Sequence, residues 1–315
     1  MTAGPTRLAG VDFHRLTEAE VVEHVIEASR SGRGGWVVTP NIDICRLARR
    51  DLELRGLVAE ASLVVPDGMP LVWAARLRGD PLPERVAGGS LIYSLSEAAA
   101  KHGRSVYFLG GAPGVPQQAG RELGDRYPGL LVAGADAPPL GFDTDPRAIE
   151  AIRLRIAAAK PDIVYVGLGC PKQERLIAQL QPSFPATWFL ACGAAIGYAA
   201  RALPRAPHWM RQAGLSWLFR LAHEPRRLLR RYLVHDLPFA VSLLAVSAAA
   251  GLRAPASGRA AGPAAIPRPA APAADEAAAA APATIPLPAP LPAGEAAGPL
   301  CAPGQRGQQP GVDPS

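Results

Sequence analysis

Short apolar runs recur along the first two thirds of the chain, at residues 36–39, 63–65, 105–109, 130–133, 163–167 and 187–191. Each is three to five residues long, rich in Val, Ile, Leu or aromatics, and several run into Gly or Pro. That is the signature of strands buried on both faces. The stretches between them carry apolar residues at helical spacing. Thr17 followed by Glu20 predicts a capping box and a helix over 17–29. Asp145-Pro146 predicts another, with Asp as N-cap, Pro in the first helical position, and Ile149, Ile152 and Ile156 on one face. Strands alternating with helices imply an α/β fold, a mostly parallel sheet flanked by helices on both faces.

In such sheets ligands bind beyond the carboxyl ends of the strands, so the residues after each apolar run carry the functional reading. Those junctions are polar or glycine-rich. Thr39-Pro40-Asn41 follows the first run and Pro66-Asp67-Gly68 the second. Gly110-Gly111-Ala112-Pro113-Gly114 follows the third, and a segment ending in Lys172-Gln173-Glu174 follows the fifth. Asp67 admits two readings: an N-cap for a helix over 69–77, or a general base that takes a proton from an incoming hydroxyl. Thr39 and Asn41 are neutral donors or caps. Gly110 and Gly111 let backbone N–H groups approach a diphosphate, or simply make a tight turn. Gln173 can hydrogen-bond a uracil or sugar edge, and Glu174 can complement a helix dipole. Asp143-Thr144-Asp145 has the form of a metal-holding D-x-D triplet, but Asp145 is already used as a cap. The histidines form no metal-binding pattern, so neither a metal nor an organic cofactor is expected.

Composition divides the 315 residues unevenly. Many of the 34 prolines fall after residue 252, where Ala, Pro and Gly dominate and large apolar residues are scarce. Such a segment cannot offset the entropy of ordering it, and residues 252–315 are expected to be a disordered tail. The net charge is +6, and residues 201–236 alone carry as much. Arg201, Arg205, Arg211, Arg220, Arg226, Arg227, Arg230 and Arg231 are opposed there only by Glu224 and Asp236. With Leu215, Leu218, Phe219, Leu228, Leu229, Tyr232 and Leu233 between them, residues 201–251 read as a basic amphipathic appendage suited to an anionic membrane surface. The apolar residues 237–251 are too few to span a bilayer and are interrupted by Pro238. The N-terminus lacks the apolar core of a secretion signal and the cysteines form no C-x-x-C pair, so a reducing, cytoplasmic setting is expected. A nucleotide-binding oxidoreductase is the competing reading of such a sheet, but no G-x-G-x-x-G fingerprint is present. A nucleic-acid binder would use the arginines but not the polar rim.

In order, the motifs read T-P-N-I-D (39–43), P-D-G-M-P-L-V-W (66–73), L-P-E-R-V-A-G (82–88), V-Y-F-L-G-G (106–111) and P-D-I-V-Y-V-G-L-G-C-P-K-Q-E (161–174). The arginine-rich segment 205–233 follows. This series resembles the WecG/TagA/CpsF family, glycosyltransferase family 26. The resemblance implies a Rossmann-like catalytic domain over 1–200 and a metal-independent, inverting transfer. The sugar, N-acetylmannosamine, its uronic acid or another hexose, would come from a UDP-sugar. The acceptor would be a lipid-linked, polyprenyl-diphosphate sugar used in surface polysaccharide or teichoic acid synthesis. By motif position it assigns Asp67 as catalytic base and Thr39 as a catalytic-site residue. It assigns Asn41, Arg85 and Gln173 to substrate contact, and Arg220, Arg227 and Arg230 to an appendage that closes over the site. Two positions depart from the family pattern. Ile196-Gly197 stands where many members have Phe-Asp, and Ser216 where many have Glu. A homo-oligomer is compatible with the sequence but not dictated by it.

Overall fold

The computed structural model describes residues 4–253. The expected disordered tail lies, from residue 254 on, outside the described residues. The chain opens with an antiparallel hairpin, β1 (Thr6–Leu8) and β2 (Val11–Phe13), that the hydrophobic pattern does not announce. Ala9 and Gly10 both have positive φ, the type I′ geometry that matches strand twist in a two-residue hairpin loop.

The six expected strands all form: β3 (Gly35–Val38), β4 (Leu63–Val64), β5 (Ser105–Gly110), β6 (Leu131–Asp136), β7 (Ile163–Gly167) and β8 (Trp188–Ala191). They make one parallel sheet in the order β4-β3-β8-β7-β5-β6. Alternate side chains feed two apolar layers, as the period of two requires. Trp36, Val38, Leu109, Val166 and Phe189 face one layer; Val37, Phe108, Ile163, Tyr165 and Trp188 face the other. The buried Tyr165 hydroxyl is satisfied by Ser96 Oγ at 3.0 Å. The exposed edge of β4 is closed by the hairpin's exit. The His14 N–H donates to Val64 O (2.8 Å) and the Val64 N–H donates to His14 Nδ1 (2.9 Å). Burial lowers the His14 pKa, which favours the neutral ring that this acceptor role needs.

Both expected caps are present. Thr17 Oγ1 accepts from the Glu20 N–H while Glu20 Oε2 accepts from the Thr17 N–H, and Asp145 Oδ1 accepts from the Arg147 N–H. After Ala200 come short helices His208–Gln212 and Ser216–His223, then a continuous helical rod, Pro225–Arg253. Here the structure corrects the expectation that Pro238 interrupts the apolar stretch. A π-helical segment, Arg230–Asp236, immediately precedes the final helix Leu237–Arg253. Its wider turn accommodates a residue that has no N–H to donate and a ring that crowds the preceding turn. Among the described residues, this 29-residue rod is the one helix long and apolar enough to cross a membrane, with a mean hydropathy of 1.6 over its most apolar window. That is a statement of length and composition. The final helix packs along helix Met69–Arg78, and the two backbones meet where Gly251 lies against the Leu77 carbonyl. A side chain at 251 would collide with that carbonyl.

Candidate active site

The rim is built by pairing that continues past the strand ends. The Val65 N–H donates to Val38 O (3.1 Å) and the Asp67 N–H to Pro40 O (3.0 Å), which sets Asp67 beside Asn41. The Val86 N–H donates to Pro66 O (2.8 Å), bringing Arg85 Nη1 to 3.5 Å from Asp67 Oδ1. Asp67 is not a cap: the N-cap of helix Met69–Arg78 is Gly68, with no side-chain hydrogen bond. Its carboxylate is therefore free to face a cavity. Burial pushes its pKa up, against the opposing pull of the Arg85 and Arg220 charges. Asn41, by contrast, does cap, accepting from the Ile44 N–H at 3.0 Å, and its residue also lines the cavity. Thr39 is buried just behind the rim. A Cβ on Gly88 would come within 3.2 Å of Thr39 Oγ1 and 3.1 Å of Cys192 Cα. Glycine is what lets helix Gly88–Lys101 start against the ends of β3 and β8.

The cavity in front of this rim has a volume of about 410 Å³. Asn41, Asp67, Arg85, Ala87, Gly89, Ser90 and Cys192 line it from the sheet side; Arg205, Arg211, Trp217, Arg220, Arg231 and Tyr232 line it from the C-terminal segment. Arginines outnumber acids in the lining, with Arg85, Arg205, Arg211, Arg220 and Arg231 against Asp43, Asp67 and Asp236. The Nε atoms of Arg211 and Arg220 are buried with no hydrogen-bond partner among the described residues, whereas that of Arg231 faces Asp236. Buried donors in native proteins are nearly always paired, so two orphans in one cavity mark a place for acceptors. Arg231 lies 3.3 Å from Asp43 and 3.5 Å from Asp236, and Arg46 is held by the same two acids. Burial and the neighbouring Asp43 carboxylate raise the Asp236 pKa. Arg205 sits over the Tyr93 ring at 4.1 Å and donates to Gly89 O at 3.1 Å. This pins the first turn of helix Gly88–Lys101, whose N-cap, Ala87, offers no side-chain cap. An uncapped helix start bordering a cationic cavity favours an anion.

Several sequence candidates fall elsewhere. Gly110 and Gly111 do not line the cavity. Gly110 has φ +117° and packs so closely on Gly167 that a Cβ would sit 2.5 Å from its carbonyl oxygen, so the tight-turn reading accounts for it. Gln173 is 4 % exposed and its amide is hydrogen-bonded through both oxygen and nitrogen. Its Oε1 accepts from the Gly169 N–H (3.2 Å) and the Gly193 N–H (3.1 Å), and its Nε2 donates to Glu174 (2.9 Å). It braces the loops after β7 and β8 from behind. Gln173→Ala should therefore lower stability by about 1–3 kcal/mol, the cost of orphaning buried donors. Urea denaturation reads this, and an unchanged midpoint with a raised KM would instead make Gln173 a substrate contact. Arg227 is exposed and paired with Glu224 (2.5 Å), and Arg230 is exposed; neither lines the cavity. Asp143 is paired with Lys172 (2.8 Å) and Asp145 caps its helix, so the D-x-D triplet is occupied. Of the departures from the family pattern, Ser216 lines the cavity, Ile196 is buried in the core, and Gly197 packs on Leu203. Arg205, Arg211, Arg231, Trp73 and Trp217 are cavity residues that the motifs did not single out. The charge density of 201–236 pointed to the arginines as a group but could not say which turn faces inward.

Fold and cavity define a class: a parallel α/β protein with a cationic cleft at the carboxyl rim, walled by its own C-terminal helices. More particularly, the chain belongs to the glycosyl transferase WecG/TagA/CpsF family, whose model matches residues 6–251. It is similar to the N-acetylglucosaminyldiphosphoundecaprenol N-acetyl-beta-D-mannosaminyltransferase of Bacillus spizizenii, 30 % identical over 195 residues, covering 62 % of this chain and 74 % of the relative. The enzyme of the same name from Staphylococcus aureus strain MW2 is 29 % identical over 223 residues, covering 70 % of this chain and 85 % of the relative.

Proposed function

We propose that this glycosyltransferase moves a hexose, N-acetylmannosamine, its uronic acid or another, from a UDP-sugar to a polyprenyl-diphosphate-linked sugar, with inversion and without a metal. The observation that carries the reading is Asp67: a carboxylate at the strand rim, excused from capping, raised in pKa by burial and facing a cavity with two unpartnered arginine donors. The relatives' names supply the acceptor class. Asp67 takes the proton of the acceptor hydroxyl as its oxygen bonds to the anomeric carbon from the face opposite the leaving group. The bond from that carbon to the UDP oxygen breaks, and the electron pair leaves on the diphosphate. Arg85, Arg220 and their neighbours meet the developing charge, the task a divalent cation performs elsewhere. The uncapped start of helix Gly88–Lys101, rather than Gly110-Gly111, is the backbone site for a diphosphate. Thr39 and Asn41 shape the rim. The outward Arg226, Arg227 and Arg230, beside exposed Leu229 and Leu233, are the contact with an anionic membrane surface on the cytoplasmic side.

A mass-resolved assay with a UDP-sugar panel and a prenyl-diphosphate-linked N-acetylglucosamine acceptor tests the reading. One sugar should transfer, with the opposite anomeric configuration, at a rate unaltered by EDTA. No transfer from any UDP-sugar, or loss in EDTA restored by Mn²⁺, would refute it.

A further inference from the structure

The cavity has an apolar part that the proposed transfer does not use. Met69, Trp73, Leu237, Val241 and Leu244 line the same continuous space as Asp67, Arg85 and Ser90. Helical spacing explains the apolar part. Met69 and Trp73 are one turn apart on one helix, and Leu237, Val241 and Leu244 follow at i, i+4 and i+7 on the other. These two helices are the ones that converge at Leu77 and Gly251, so the groove between them narrows away from Asp67. Its residues are not ordinary core. Trp73 is 44 % exposed, Leu237 51 % and Val241 57 %, although all three border a cavity. Apolar side chains left open in this way mark a surface that receives something.

We infer that the groove between helices Met69–Arg78 and Leu237–Arg253 holds the diphosphate-proximal isoprene units of the acceptor lipid. The inference rests on the proposed acceptor class and adds where its hydrocarbon lies. The shared lining selects this occupant. One cavity presents the Asp67 carboxylate, the guanidiniums of Arg85 and Arg220, the latter with a buried unpartnered Nε, and the hydrocarbon of Trp73, Leu237 and Val241. A prenyl-diphosphate sugar carries a hydroxyl, a diphosphate and a hydrocarbon to meet them. A bilayer face alone would not account for apolar residues that turn into the same cavity as the carboxylate. The narrowing toward Gly251 limits the groove to the first units, and the rest of a long prenyl chain leaves between the helices.

Calorimetric titration of the full chain in vesicle-free buffer, with farnesyl diphosphate and with dimethylallyl diphosphate, separates the outcomes. The groove requires the longer chain to bind at least about tenfold tighter, the effect of removing only two or so methylenes from water. Val241→Asp and Leu237→Asp, both at exposed positions, should each erase that preference. Equal affinities in the parent protein overturn the inference. So does a preference that survives both substitutions, or one that appears only when vesicles are added, which would place the hydrocarbon in the membrane. If the preference holds while no sugar is transferred in the assay above, the transfer reading fails and the groove stands.

Discussion

Asp67→Asn is expected to lower kcat for sugar transfer by roughly 10²–10⁴-fold, the usual contribution of a positioned base. The amide keeps the shape and the neighbourhood of Arg85 but cannot take the acceptor's proton. The pH profile is a second reading of the same group. Only the ionised carboxylate accepts a proton, and burial raises the Asp67 pKa. The rate should therefore fall as pH drops through a value above that of an ordinary aspartate. The Arg85 charge opposes that rise, so Arg85→Ala should move the acid limb to still higher pH. Stability runs the other way. A carboxyl whose folded pKa is raised contributes stability that is present below its unfolded pKa and is lost as pH rises through the folded one. At neutral pH the Asn variant should melt above the parent. Steady-state kinetics between pH 4 and 9, together with melting curves at pH 7, check both; a variant with parental kcat would remove Asp67 from the mechanism.

Arg220→Ala should raise the KM of the diphosphate-bearing substrate by about 10–150-fold. Hydrogen bonds to charged groups contribute about 1.5–3 kcal/mol, and 1.4 kcal/mol is a factor of ten. Arg220 lines the cavity, its Nε is buried without a partner, and it lies close enough to act on Asp67. Arg230→Ala should change KM by less than about threefold in the absence of membranes, because its exposed side chain lies outside the cavity and surface charges contribute little. Its loss should appear instead as weaker flotation with anionic vesicles. Two parallel KM measurements decide between them. If Arg230→Ala has the larger effect, the motif assignment holds and the rod turns in the working complex.

The contrast between these arginines shows what the chain made legible and what it hid. Most of the sheet strands were readable as short, dense apolar runs ending in turn chemistry, while β6, Leu131–Asp136, is a half-exposed edge. The hairpin was not, since a three-residue strand offers one alternation and its partners lie on other elements. Pro238 was expected to interrupt the apolar stretch, and the π segment that absorbs it depends on i→i+5 bonding that no local propensity announces. At the site, position after a strand drew attention to Asp67, yet could not say whether it caps the next helix. Gly68 is the residue at that helix start, which removes the cap reading. Gln173 was drawn in by the same rule and turns out to have its amide consumed by Gly169 and Gly193. Gly88, in the same family motif as Arg85, sits where the helix start meets the strand ends, a close approach that the sequence did not flag. In residues 201–236 the charge was legible but its phase was not. A one-residue shift, from Arg230 to Arg231, carries a side chain from solvent into the cavity.

The wall supplied by the final helix has a consequence for how the protein is made. Ribosomes release the chain from its N-terminus, and every strand of the sheet has emerged by Ala191. A nascent chain of that length carries Asp67, Arg85 and the whole apolar interior of the sheet. It has none of Arg205, Arg211, Arg220 or Arg231, and nothing to stand opposite Trp73. The Asp67 carboxylate is thus synthesised early and stands without the arginines of residues 205–231 until the C-terminal segment follows. The cavity can close only after every strand of the sheet has been made.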